Sequence, residues 1–242
     1  PGTAARIATG GPLPPGADAV VMVEDSDPPG DHGSRVGVRR APAPGDGVRA
    51  AGVDFGAGEV LLAAGQVLGP AALGLAASAG TERLAVRRRP RVAVFSSGDE
   101  LVAPGEALRP GAIRDGNRFA LAAAAAEAGA DVVAVGALRD RPADLAALRE
   151  AATTADVVVT SGGVSMGRLD IIKPWLAEHG RVAFGRVRVK PGKPVTFATV
   201  AGTPYFGLPG FPVSALVCFE LFVRPALLRL AGHPEPERPV WR

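Results

Sequence analysis

Thr160-Ser161-Gly162-Gly163-Val164-Ser165 sets two adjacent glycines among three hydroxyl side chains. Glycine tolerates positive φ, so such a pair can turn successive backbone N–H groups toward an anion. A tight turn needs neither the Thr-Ser before the glycines nor the Val-Ser after them. The segment therefore reads as a phosphate cradle, with Asp170 a few residues beyond it. Ser96-Ser97-Gly98-Asp99-Glu100 is a weaker signal of the same kind. Its small residues admit a ligand to the backbone, and its two acids could bind Mg²⁺, although an ordinary strand-to-turn junction has the same look. The third segment is Leu208-Pro209-Gly210-Phe211-Pro212-Val213-Ser214. It reads as a strand-to-helix junction, with proline near the first helical position and free amides that attract anions.

Lysine usage is a separate clue. The chain has 24 arginines and three lysines, Lys173, Lys190 and Lys193. Two of the three fall in Lys190-Pro191-Gly192-Lys193-Pro194. A compact ammonium on a loop stiffened by proline suits a small oxyanion better than the planar fork of arginine does. Solvated turn lysines are the competing reading. Among the acids, Asp54, Glu100, Asp140 and Asp170 lie near expected loop ends, where hard oxygen ligands suit Mg²⁺. Asp140 reads equally well as a helix cap. His32, His179 and His233 are isolated, which excludes triad chemistry.

These segments need strands to end on and helices to follow. Arg91-Val92-Ala93-Val94-Phe95-Ser96-Ser97 is a continuous apolar strand, and 131–137, 155–160, 195–200 and 205–208 read as further strands. Helices are expected over 70–77, 118–128, 143–152, 171–179 and 213–230, the last kinked or broken by Pro225. Strand–helix alternation at this spacing predicts an α/β fold: a three-layer αβα domain with a mostly parallel sheet. Ligands of such sheets bind outside the carboxyl ends of the strands, where all three segments fall. A smaller β-rich part precedes it, with strands expected at 19–23 and 35–39. The expected organisation is a β-rich subdomain over 1–60, a helical linker over 61–89, the α/β domain over 90–230, and the start of a further β-domain over 231–242. Pro1 and Arg242 both read as cuts through a longer chain.

Composition narrows the partners. The 242 residues carry a formal net charge of only +3, and no basic run interleaves with aromatics. Nucleic-acid binding thus has little support, and Arg87-Arg88-Arg89 reads as a solvated linker. The uncharged stretch 61–81 is too rich in Gly and Ala, and too broken by Gln66 and Pro70, to span a bilayer. Cys218 is the only cysteine, so no disulfide or Cys/His zinc site forms within the chain. It lies in an apolar run and reads as core, and a reducing cytoplasm fits.

Taken in order, the Thr-Ser-Gly-Gly-Val-Ser loop with Asp170, Lys190-Pro191-Gly192-Lys193-Pro194, and Gly207-Leu208-Pro209-Gly210 leading into Pro212-Val213-Ser214 resemble the molybdopterin molybdenumtransferases, the MoeA family related to the E domain of gephyrin. Arg6-Ile7-Ala8-Thr9-Gly10-Gly11-Pro12 and Ser97-Gly98-Asp99-Glu100-Leu101 add to the resemblance, which covers nearly the whole chain. It implies an enzyme of molybdenum cofactor biosynthesis. Such enzymes insert molybdenum from molybdate into adenylylated molybdopterin, release AMP, use Mg²⁺ and act as cytoplasmic homodimers, with a molybdopterin adenylyltransferase as a further partner. It also implies site roles. Thr9, Ser97, Gly98, Asp99, Thr160, Ser161, Gly162, Gly163, Ser165, Pro209, Gly210 and Ser214 would hold the substrates. Asp140, Asp170, Lys190 and Lys193 would act in the chemistry, the lysines with Ser214 at the molybdate. Asp54, Glu100 and Asp170 would hold the metal. Two positions depart from the family pattern: Val53 stands where many members have glutamate, and Phe211 replaces the usual asparagine. The Thr-Ser-Gly-Gly loop alone is shared with adenylyltransferases and nucleotide-hydrolysing proteins. Those two activities, and a non-enzymatic scaffold, are the alternative readings.

Overall fold

The computed structural model describes residues 2–27, 35–163 and 171–238. Val164, Ser165 and Asp170 therefore lie outside the described residues. The chain divides into two compact units, Pro1–Leu62 and Ala63–Arg242.

The described part of the first unit is built from turns and extended segments. The strand expected at 19–23 does not form a ladder. It makes two backbone bonds with a neighbouring turn, Val20 N to Asp46 O at 2.8 Å and Gly45 N to Asp18 O at 2.7 Å, and then tightens into a 3-10 turn, Val23–Asp25. The strand expected at 35–39 is reduced to one antiparallel bridge, Ser26 to Val38. Two backbone bonds flank it, Asp27 N to Gly37 O at 2.8 Å and Arg39 N to Asp25 O at 2.9 Å, and on one side the 3-10 turn Val23–Asp25 ends the pairing.

The second unit is organised by its strands. After helix α1 (Pro70–Ser78) come β1 (Arg91–Ser97), the two-residue strands β2 (Leu101–Val102) and β3 (Ile113–Arg114), α2 (Asn117–Glu127) and β4 (Asp131–Leu138). A 3-10 turn, Pro142–Leu145, leads into α3 (Ala146–Thr154). Then follow β5 (Val157–Ser161), α4 (Ile172–His179), β6 (Gly180–Phe184), β7 (Thr196–Val200) and β8 (Thr203–Leu208). The chain ends in α5 (Pro212–Cys218), a π-turn (Phe219–Val223) and α6 (Arg224–Leu230). The main sheet has the order β4-β1-β5-β8-β7-β6, and only β7 runs against the other strands.

Alternation along the buried strands builds the layers. Val92, Val94, Val157, Val159, Phe206 and Leu208 face one side, where Leu121 and Ala125 of α2 and Ala215, Cys218 and Leu227 of the last helices cover them. Ala93, Phe95, Val158 and Tyr205 face the other, under Leu148 of α3 and Ile172 and Leu176 of α4. Most of these side chains are fully buried, each stabilising by about 1.5–3 kcal/mol. The result is the expected three-layer αβα architecture. Pro225 acts as anticipated. It has no N–H to give to the preceding turn, and the helix widens to a π-turn just before it, so that α6 starts afresh at Arg224. Strand β6 was not foreseen. It is an edge strand with an exposed middle, and its first residue follows α4 directly.

Candidate functional site

Strands β4, β1, β5 and β8 are parallel neighbours, so their carboxyl ends open on the same edge of the sheet. The chain leaves β1 for α2 on one face and leaves β5 for α4 on the other. Adjacent strands whose connections diverge in this way open a crevice between them, the usual ligand position of open α/β sheets.

Gly162 sits in that crevice with φ +87°, and a methyl group on it would collide with the Ser97 carbonyl oxygen. A Cβ on Gly163 would lie 2.6 Å from Ile172 Cδ1 and 3.2 Å from Ser97 Oγ. The Gly-Gly pair is thus what lets the β5 loop lie against the end of β1. Gly162 N donates to Leu208 O at 3.1 Å, which ties the same loop to β8.

The hydroxyls around the glycines behave differently from their ligand-binding expectation. Thr160 is fully buried and its Oγ1 lies 2.5 Å from the Tyr205 hydroxyl. Ser161 Oγ accepts from Asn117 Nδ2 at 2.8 Å and donates to Pro209 O at 3.0 Å. Both side chains hold the scaffold together, and the Gly162 N–H is taken by Leu208 O, which leaves the Gly163 amide as the backbone donor of the described loop without a partner among the described residues. Pro209 is buried and Gly210 exposed beside Gly162.

An acidic group lines the β1 and β4 side. Ser97 Oγ donates to Asp140 Oδ1 at 3.3 Å, and Asp140 N donates to Asp99 Oδ1 at 3.4 Å. Asp140 is therefore not the expected helix cap. The following 3-10 turn starts from Arg141 without a side-chain cap, and it is Asp144 that accepts a backbone bond, from Arg139 N at 2.8 Å. Burial pushes the Asp140 carboxyl above its ordinary range. The Ser97 hydrogen bond opposes this, and the nearby charges of Asp99 and Glu100 add to it. Glu100 is exposed and folds back over Gly98.

The lysine loop reaches the same edge from the other side. Strand β7 starts at Thr196 opposite Gly207, so the connection 185–195 lies at the carboxyl end of β8. The Lys190–Pro191 peptide is cis. Gly192, at φ +115°, is buried against Cys218 Sγ and the first turn of α5, near the Ser214 carbonyl. Side-chain bulk at 192 would lift the loop off that helix. Lys190 and Lys193 on either side of Gly192 are exposed and have no ion-pair partner among the described residues. Cys218 is core as expected, its thiol pushed up to about 11 by burial.

Two expected site residues belong to the first unit. Thr9 is exposed at the tip of a turn closed by Gly11 N donating to Ala8 O at 2.9 Å. Asp54 is exposed and paired with Arg49. Among the described residues, no three His, Cys, Asp or Glu side chains group closely enough to hold a metal ion. Sequence reasoning missed the segment Asp115-Gly116-Asn117-Arg118. Asp115 is buried, accepts from Ser96 Oγ and pairs with Arg118 Nε at 3.2 Å. Asn117 donates to Ser161 and to Gly210 O, the latter at 2.7 Å. An acid and an amide bracketing a glycine resemble any turn before a helix, so no local signal marks them. Among the described residues, no helix is long and apolar enough to cross a membrane.

Comparison with known proteins agrees with this geometry. Residues 93–229 match the family described as a probable molybdopterin binding domain, and residues 1–80 match the MoeA N-terminal region, domains I and II. The chain is 45% identical to molybdopterin molybdenumtransferase 2 of Mycobacterium tuberculosis H37Rv, over 99% of this chain and 60% of that protein. It is 40% identical to the molybdopterin molybdenumtransferase of Nostoc sp., over 100% of this chain and 56% of that one. Among solved structures it superposes on a molybdopterin biosynthesis MoeA protein from Pyrococcus horikosii with a TM-score of 0.71 at 38% identity, covering 91% of this chain and 55% of that one. The chain thus spans little more than half the length of these relatives.

Two outcomes follow from the geometry. Gly162→Ala should destabilise the protein by at least about 2 kcal/mol in urea unfolding, because positive φ and the Ser97 carbonyl both oppose the methyl group; unchanged stability would show that the loop does not lie against Ser97. For Asp140, the folded-state pKa is raised, so the folded chain binds this proton more tightly than the unfolded chain does. The group therefore costs stability as pH rises through the carboxylate range, and that cost persists at neutral pH. Asp140→Asn should raise Tm at pH 7 by about 1–3 °C, and the gain should close as pH falls toward the ordinary aspartate value of 3.8. A gain that is larger in acid than at neutral pH would contradict the assigned shift.

Proposed function

The chain belongs to the molybdopterin-binding domain family and carries the MoeA N-terminal region ahead of that domain, and from this premise we propose that the whole protein inserts molybdenum from molybdate into adenylylated molybdopterin and releases AMP. The observation that carries the reading is the meeting of two different anion-binding devices on one sheet edge. The turn at Gly162-Gly163 offers a phosphate the Gly163 amide, with no side chain in the way. The 190–194 loop, pinned to α5 through Gly192, presents two ammonium groups that form no ion pair among the described residues. A ligand with a diphosphate and a separate small oxyanion uses both devices. The relatives named as molybdopterin molybdenumtransferases support the same assignment.

In this reading the backbone of Gly162 and Gly163, with Ser97, Gly98 and Asp99 across the crevice, holds the nucleotide portion. Pro209 and Gly210 shape the side formed by β8. Lys190, Lys193 and Ser214 hold molybdate against the first turn of α5. The acids Asp99, Glu100 and Asp140 stand across from the lysines and keep the diphosphate from settling on the β4 side unless a cation accompanies it. Mg²⁺ fits that requirement as an ion brought in on the diphosphate and held by one or two of these carboxylates, which suits its habit of pairing few protein acids with substrate phosphates. Bound there, it would supply charge neutralisation for the leaving adenylate. Asp140, with its raised proton affinity, is placed to hold or release a proton beside Ser97. Asp54, Asp170, Thr9 and Ser165 complete the proposed set by family resemblance. We extend the reading to a cytoplasmic homodimer that receives its substrate from a molybdopterin adenylyltransferase.

Full-length protein with Lys193→Ala should bind adenylylated molybdopterin about as tightly as the wild type in calorimetry. Its molybdate-dependent AMP release should fall about 10- to 100-fold, the cost of one charge-assisted contact. AMP release at the wild-type rate would remove the lysine loop from the oxyanion site. Absence of nucleotide binding by the wild-type protein would overturn the proposed function itself.

A further inference from the structure

We propose that Asn117 is a positioning residue that sets the spacing between the two loops of the nucleotide crevice, and that its side chain must be a neutral amide to do so. What the loops hold rests on the function proposed above; the positioning itself does not.

Asn117 occupies the first turn of α2, far in sequence from the residues it joins. Its Nδ2 donates to Ser161 Oγ at 2.8 Å and to Gly210 O at 2.7 Å. The Gly210 carbonyl can only accept, so the orientation of the amide is fixed and both of its N–H bonds are used. Ser161 Oγ passes the connection on by donating to Pro209 O at 3.0 Å. One side chain thereby spans the end of β5 and the end of β8.

The β5–β8 ladder ends at Ser161 and Leu208, and Gly162 N adds one bond to Leu208 O; beyond that bond, the hydrogen bonds of Asn117 and Ser161 are what join the β5 loop to Pro209 and Gly210. Where they touch, the surfaces are glycine on glycine: a Cβ on Gly210 would lie 3.6 Å from Gly162 Cα. Side-chain packing cannot hold such a contact, whereas directional hydrogen bonds can. Asn117 in turn rides on an anchored segment. Buried Asp115 accepts from Ser96 Oγ, at the end of β1, and from Arg118 N at 3.4 Å, and it pairs with the Arg118 guanidinium. The connection therefore runs from β1 through α2 to β5 and β8, the strands that flank the crevice. A carboxylate at 117 would oppose the Gly210 carbonyl with an oxygen that has no proton to give, and would bring negative charge beside a cradle built for phosphate.

The test uses the full-length protein with Asn117→Ala, Asn117→Asp and Ser161→Ala, read by two measurements. Calorimetric titration with AMP and with adenylylated molybdopterin should show affinity weakened about tenfold by Asn117→Ala, the loss of two neutral hydrogen bonds, more by Asn117→Asp and less by Ser161→Ala. Amide hydrogen exchange should be faster at Gly162, Gly163 and Gly210 in both Asn117 variants, with protection in the cores of β1 and β5 unchanged. A purely structural role would lower protection throughout the sheet. Wild-type affinity together with wild-type exchange at the glycines overturns the proposal. Should Asn117→Asp fail to fold, Ser161→Ala, which removes only one hydroxyl, decides the matter by the same two measurements. Failure of the wild-type protein to bind either nucleotide contradicts the proposed function, while the exchange measurement still decides the role of Asn117.

Discussion

The approach of the Gly162 backbone to the carbonyl of Ser97 is the constraint on which the rest of the site depends. No side chain fits between the two, so position 162 must be glycine and must accept positive φ. Once the β5 loop lies there, Ser161 is turned toward Asn117 and Pro209 rather than outward, and Gly163 is packed on Ile172 at the start of α4. The contact therefore links the ends of β1, β5 and β8 and the helices on both faces of the sheet. It also leaves the crevice lined by backbone, which binds anions without the conformational entropy that long side chains would lose.

Around that contact, charge is divided. Asp99, Glu100 and Asp140 gather at the ends of β1 and β4, and Lys190 and Lys193 stand beyond β8. Asp140 is held where burial and two neighbouring acids disfavour its charge, with the Ser97 hydrogen bond opposing them. Strain of this kind concentrates where a site has been shaped for a ligand rather than for stability. The lysine loop has the opposite character. Gly192 is fastened to Cys218 and α5, so the backbone is fixed while its two ammonium groups remain unpaired among the described residues.

Much of this is legible in the sequence because the signals are local. The apolar runs ending in Ser96-Ser97 and Thr160-Ser161 read directly as buried parallel strands, and the Gly-Gly pair reads directly as backbone at positive φ, which both glycines adopt. Pro225 announces a break in the last helix, which the π-turn accommodates. What the sequence hides at the site is long-range. Thr160 and Ser161 look like ligand groups because their partners, Tyr205 and Pro209, are 45 and 48 residues away. Asp140 looks like a cap because a proline follows closely, yet its hydrogen bond goes to Ser97, 43 residues back. Asn117 goes unmarked because a residue that joins positions 44 and 93 residues away leaves no local pattern. The run at 19–23 is apolar enough for a strand and 35–39 alternates as one, but nothing in a single strand's sequence guarantees a partner that can extend a ladder.

The central claim is that the crevice at the carboxyl ends of β1 and β5 is the nucleotide site. Crystals of the full-length protein soaked with AMP test it directly. Phosphate density is expected against the backbone amide of Gly163, across from Ser97. Density instead at the opposite end of the sheet, in the hollow of about 310 Å³ lined by Arg87, Arg88, Pro90, Asp156 and Leu230, with the crevice empty, would contradict it.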